Sequence, residues 1–223
     1  MQTMIRTAPA GLRRPSGDDG AAAVEFALVS LPLFTLLLGI MEFSLVMRDS
    51  VAITSAVRTG ARIPSAEAGA GHVTGCPPAT TCAPTNVPQL AQDAADAVQK
   101  AGSAMPKGNI DELWIYKAGT NGLPSGASSM STATCGSDCV KFVWVDSAGK
   151  FQYASGTWTS TTIAACVGAG KSDSVGVIMK ATHKMLFGLF GTSLSMNDRA
   201  VMQFEPLPNA VCSAAGPTNG GHQ

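Results

Sequence analysis

A chain of 223 residues in which 15 Lys and Arg balance 15 Asp and Glu carries no net charge, and it has no basic run of the kind that tracks nucleic acid. Charged residues make up only 13 % of it, low for a cytosolic domain, partly because one long apolar stretch holds almost none of them. Glycine, serine, threonine and alanine are abundant, which suits an exported, loop-rich domain.

The first residues are basic: Arg6, Arg13 and Arg14 precede any acidic residue, and Asp18 and Asp19 follow. Residues 21–47 then contain only two charges, Glu25 and Glu42. As a helix this stretch would reach about 40 Å, more than a hydrocarbon core of roughly 30 Å, so it can span a bilayer with some tilt. Its uninterrupted part, residues 26–41, is slightly short, so a span needs one glutamate near an interface. Glu42, close to Arg48 and Asp49, is expected to be solvated there, the alternative being a pairing with a helix of another subunit. A secretory signal peptide would have a shorter apolar core and a small-residue cleavage site. Here the run ends in Val46, Met47, Arg48 and Asp49. A plain membrane anchor explains the hydrophobicity but neither Gly20, directly before the run, nor Glu25, five residues later, since a charge inside hydrocarbon is expensive. Pro32 lies inside the helix, where it lacks a donor and crowds the carbonyl of Leu28, so a kink is expected.

Beyond the apolar run, Val51, Ile53, Ala56, Val57 and Ala61 continue the helix amphipathically, and Pro64 suggests a stop near Arg62. The small residues Ala52, Ser55, Ala56 and Gly60 would let this part pack closely on a sheet. Residues 63–88 are a loop rich in Gly, Pro and Thr. A short helix follows with Leu90, Ala94, Ala97, Val98 and Ala101 on one face, ending near Gly102. The period then changes to two, and residues 113–117, 140–145, 151–154, 174–184 and 194–205 read as strands. Residues 146–150, with Gly149, form a hairpin turn. Leu194, Met196, Ala200, Met202 and Phe204 share a face of the last strand, and the apolar MLFGLFG, residues 185–191, is expected to pack under the sheet, the alternative being that it faces a partner. A long helix, a short helix and then antiparallel strands define an α+β chain.

The segment GAAAVEFALVSLPLFTLLLGIMEFSLVMRDSVAITSAVRTGAR resembles the N-terminus of TadE-like proteins, minor pilins (pseudopilins) of the Tad, or Flp type IVb, pilus system. A weaker likeness follows in residues 186–206, which resemble that family's final strand. The resemblance implies a pilin-like fold and a leader, residues 1–20, cut after Gly20 by a prepilin peptidase. Ala21 is then the new N-terminus and Glu25–Phe26 the pair used in assembly. It implies a long helix over 21–62, an extracytoplasmic α+β domain over 89–212 and a tail over 213–223. Implied partners are the peptidase, other minor and major pilins, the inner-membrane assembly platform and the lipid bilayer. Implied roles are pilus assembly or initiation and adherence, without catalysis or cofactor. The competing reading is an uncleaved, single-pass, membrane-anchored binding module or adhesin.

Three basic residues on each side of the apolar run leave the positive-inside rule indecisive. The cysteines decide instead. Cys76, Cys82, Cys135, Cys139, Cys166 and Cys212 all follow the helix, where an oxidising compartment favours disulfides. The N-terminus is therefore expected in the bacterial cytoplasm and the remainder outside the inner membrane, with the pilus tip or the cell surface as its destination after assembly. Many connectivities are open to six cysteines. Local pairing of Cys76 with Cys82 and Cys135 with Cys139 would leave Cys166 with Cys212. Zinc ribbons use shorter Cys spacings than CGSDC or CPPATTC. GAGKS, residues 168–172, lacks the glycine a phosphate loop requires, having Ala165 instead, and precedes a strand rather than a helix. His72, His183 and His222 are scattered and form no nucleophilic grouping. Trp114, Trp144 and Trp158 are expected as core or rim aromatics.

Overall fold

Helix α1 (Gly17–Ser65) opens the computed structural model, which describes residues 17–71, 87–101, 105–166, 172–188 and 191–207. The chain divides into two units, Met1–Phe43 and Ser44–Gln223. In the first, every described residue between Gly20 and Val29 is exposed, and so are large side chains such as Leu31, Phe34, Leu37 and Ile40.

The second unit contains the rest of α1, helix α2 (Gln89–Ala101) and strands β1 (Ile110–Ala118), β2 (Cys139–Val145), β3 (Lys150–Thr157), β4 (Ser174–Lys184) and β5 (Ser193–Gln203). The strands form one antiparallel sheet in the order β3-β2-β1-β4-β5. The expected α+β order of elements is therefore observed. β4 has the expected bounds, and the turn joining β2 to β3 is closed by Gly149, whose φ of 61° suits glycine and whose N–H donates to Val145 O at 2.9 Å.

Alternation along the strands sends Leu113, Ile115, Phe142, Val177 and Met179 to one face, where the two helices cover them. Ala52, Ile53, Ala56, Val57 and Ala61 bury the stripe of α1 foreseen from its small residues. Gly60 shows why they are small. A Cβ there would collide with Val98 of α2 and stand 3.5 Å from Val177 of β4. Helix α2 buries Leu90, Ala91, Ala94, Ala95 and Val98, so Ala97 lies at the edge of its buried face rather than within it.

The opposite face of the sheet has its own small core. Trp114, Tyr116 and Ile178 lie under Ala133, with Ala127 and Met130 beside them, on the loop after β1. The Cys135–Cys139 disulfide pins the end of that loop to β2. Tyr116 donates to Gly122 O at 2.8 Å, and burial pushes its hydroxyl up to about 12. Trp158 is fully buried, Trp114 nearly so, and Trp144 stacks edge-on against Phe151 at 5.5 Å.

Two expectations are corrected. The helix does not stop at Arg62 but carries Pro64 in its last turn, closed by Ser65 Oγ donating to Arg62 O at 2.7 Å. The described part of the apolar 185–191 segment does not pack under the sheet. It follows β4 and leads toward β5, with Leu186 and Phe187 67 % and 40 % exposed and Met185 N donating to Thr192 O at 3.0 Å; residues 189–190 lie outside the described residues. The strands continue to His183 and Lys184 opposite Leu194 and Ser193, so the loop projects past the sheet edge.

Candidate processing and assembly segment

Gly20, Ala21, Glu25 and Phe26 all lie in the first turns of α1, and all are exposed. Nothing stands within 4 Å of the position a Cβ would take on Gly20. Helical glycine costs about 1 kcal/mol relative to alanine, so packing among the described residues gives no reason for it. Gly60 in the same helix is the contrary case, required by its neighbours.

Glu25 is flanked along its helix by Ala21, Ala22, Leu28 and Val29, the last two 71 % and 67 % exposed. Phe26 is 73 % exposed. The most hydrophobic 18-residue window of this helix has a mean hydropathy of 2.1, and none of it is buried. A core helix of a soluble protein would hide such a surface. A helix that is apolar all round is instead matched to lipid or to other helices. Its hydroxyls are satisfied internally: Ser30 Oγ donates to Ala27 O at 3.1 Å and Thr35 Oγ1 to Pro32 O at 2.8 Å. That suits a solvent without hydrogen-bonding partners. The helix is unbroken through Pro32, which is exposed.

Glu42 is a correction. It was expected to be solvated but is 2 % exposed. Among the cysteines, Cys135 and Cys139 are bonded to one another as expected, and Cys166 is disulfide-bonded. Cys76, Cys82 and Cys212 lie outside the described residues, and with them the pairings of Cys76 with Cys82 and Cys166 with Cys212. So do His72, His222, residues 168–171 of GAGKS, the leader up to residue 16 and the tail from residue 213.

Sequence reasoning missed the buried pair that fastens α1 to the sheet. His183 Nδ1 and Asp49 Oδ2 are 2.7 Å apart, with both residues almost fully buried, and Arg48 Nη2 reaches Asp49 Oδ1 at 2.9 Å. Parity was the available signal for His183, which shares a strand face with Val177, Met179 and Ala181. For Asp49 no local signal existed.

Glu67 and Asp93 face a groove of about 520 Å³ between the end of α1 and α2, lined also by Asp96 and Lys100. Burial first, and the adjacent Asp93 second, push the Glu67 carboxyl up to about 7. On β1, burial of Glu112 would raise its carboxyl, but hydrogen bonds from Lys141 and Trp114 and the charges of Lys141 and Lys180 outweigh it and hold it below the usual range. Among the described residues no three His, Cys, Asp or Glu side chains are grouped to hold a metal ion.

Among the described residues one apolar helix is long enough to cross a membrane, and it leads into an α+β domain. Residues 20–62 match the family model described as TadE-like protein, so over this segment, about a fifth of its length, the chain is similar to that family. The family is one of structural and assembly proteins. No curated protein and no solved structure matches the chain.

Proposed function

We propose that this chain is a minor pilin, or pseudopilin, of a Tad-type pilus, cleaved after Gly20 by a prepilin peptidase and acting in pilus assembly or initiation and in adherence. The supporting observation is the conjunction at the start of α1. A glycine that nothing in the fold requires is followed, five residues later, by an exposed carboxylate on an unburied apolar helix.

The chemistry is that of assembly. Cleavage at Gly20–Ala21 would free an ammonium on Ala21. In a bundle of such helices, Glu25 of one subunit would pair with that ammonium on a neighbour. Stranding either charge in an apolar bundle costs about 3–5 kcal/mol, so the pair would set the register of the helices. Phe26 and the exposed side chains after it would pack against neighbouring pilins. Because residues 17–20 are already helical, the peptidase would have to unwind this first turn, and glycine makes that cheaper. We place the N-terminus in the cytoplasm and the sheet domain outside the inner membrane, where its disulfides would be stable.

The test is the intact mass and N-terminal sequence of the protein from membranes of its native host. A chain beginning at Ala21 is expected. One beginning at Met1 would favour an uncleaved anchored module, and one beginning beyond Met47 would mean ordinary secretion; either would overturn the proposal.

A further inference from the structure

In the second unit, α1 runs antiparallel to β4. Asp49 meets His183 near the end of the strand, Gly60 lies against Val177, and Ser65 O accepts from Glu205 N beyond the strand's start. The end at which the chain enters this unit, Ser44, is therefore the end at which the β4–β5 hairpin turns. Among its described residues, seven large hydrophobic side chains are exposed: Met47, Val51, Ile63, Leu186, Phe187, Leu194 and Val201. Five of them, all but Ile63 and Val201, belong to this one end.

Basic side chains accompany them. Lys184 is exposed at the last position of β4. Arg48, its side chain 49 % exposed, is held by Asp49, which also binds His183, so its guanidinium is fixed beside the same hairpin. The loop itself is built to project. Gly188 and Gly191 take φ values of 64° and 120°, and the Met185–Thr192 hydrogen bond closes its base.

We infer that the β4–β5 hairpin is a second membrane contact, which seats Leu186 and Phe187 in the headgroup region of the bilayer while Lys184 and Arg48 meet lipid phosphates. This rests on the reading of residues 21–47 as a membrane span. The apolar run ends within a few residues of Ser44, so the bilayer surface falls at this end of the domain and not at the end carrying the loop after β1. Apolar side chains ringed by Lys and Arg have the chemistry of that interface. The hairpin would fix the tilt of the domain on the membrane before assembly and would have to leave the lipid when the subunit is extracted.

The test places the photo-crosslinker p-benzoylphenylalanine singly at Phe187, Phe34 or Thr132 of the full chain, in vesicles of phosphatidylethanolamine and phosphatidylglycerol, with adducts read by mass spectrometry. Thr132 is exposed on the loop at the far end of the sheet. Lipid adducts at 187 and 34 and none at 132 are expected. Adducts at 34 but not at 187, an adduct at 187 to a second protein chain, or an equal lipid adduct at 132 would each overturn the inference. Loss of the adduct at 34 would instead sink the membrane span on which it rests.

Discussion

One helix presents two kinds of surface. Between Gly20 and Phe43, α1 exposes most of its Leu, Phe, Val and Ile, whereas between Ala52 and Ala61 it buries a single stripe of small residues against a sheet. The difference lies in side-chain size and distribution rather than in helix propensity. Large apolar residues all round suit a continuous apolar medium, while Ala52, Ala56 and Gly60 on one stripe suit a partner whose backbone must come close. The two glycines repeat the contrast: Gly60 is required by Val98 inside the chain, and Gly20 by nothing inside it.

The sharpest way to break this comparison is to make the same substitution in both regions. Phe142→Ala, in the fully buried core, should cost about 3–5 kcal/mol in urea unfolding of the detergent-solubilised chain followed by tryptophan fluorescence. Phe34→Ala should change it by less than about 0.5 kcal/mol. Similar losses from both would mean that the apolar helix is packed on the folded domain after all.

Next in size is the buried pair at the entry of α1. Asp49→Ala should destabilise by about 3 kcal/mol, because it removes the buried carboxylate that meets His183 Nδ1 and Arg48 Nη2. Adding His183→Ala should cost much less than it does alone, since both changes remove one interaction; simple additivity in the double-mutant cycle would refute that coupling. Gly60→Val should lower the unfolding free energy by about 1–3 kcal/mol through overpacking against Val98. Gly20→Ala should leave unfolding untouched while altering processing, which an N-terminal sequence would reveal.

The smallest effect is electrostatic. A carboxyl raised from its ordinary 4.5 to about 7 holds its proton more tightly in the folded state. The stability that Glu67 contributes is therefore complete below 4.5 and is lost as pH rises through about 7. Glu67→Gln should flatten that fall and raise stability at pH 8 by on the order of 1 kcal/mol, since solvent in the groove screens Asp93. Urea titrations of both chains from pH 4 to pH 8 check the sign. An unchanged slope would remove Glu67 from the account.

Much of this was legible in the sequence because it depends on local periodicity. Alternation along residues 174–184 marked β4 to the residue, and the inward stripe of α1 could be read from Ile53, Ala56, Val57 and Ala61. Glycine at the β2–β3 turn announced its hairpin. What failed had no local signature. MLFGLFG is as apolar as a core segment, and only the continued pairing of β4 with β5 to Lys184 and Ser193 leaves Leu186 and Phe187 beyond the paired strands. Glu42 and Asp49 look alike as carboxylates following an apolar run, and both are buried, against the habit of charged side chains.

The candidate segment divides in the same way. Gly20, Glu25 and Phe26 stand out by spacing alone, because a carboxylate within an apolar run is costly wherever it is placed. Only the fold showed that the glycine has no internal neighbour and that the apolar surface has no internal cover.

By itself, then, the sequence determined the α+β order of elements, the apolar helix, the existence of the strands and the Gly–Glu–Phe spacing, all of which follow from side-chain period and the cost of misplaced charge. Tertiary structure alone decided the Asp49–His183 pair, the close approach at Gly60, the second core beneath the Cys135–Cys139 loop and the exposure of Leu186 and Phe187. Each of these depends on which residues, far apart along the chain, the sheet register brings to the same place.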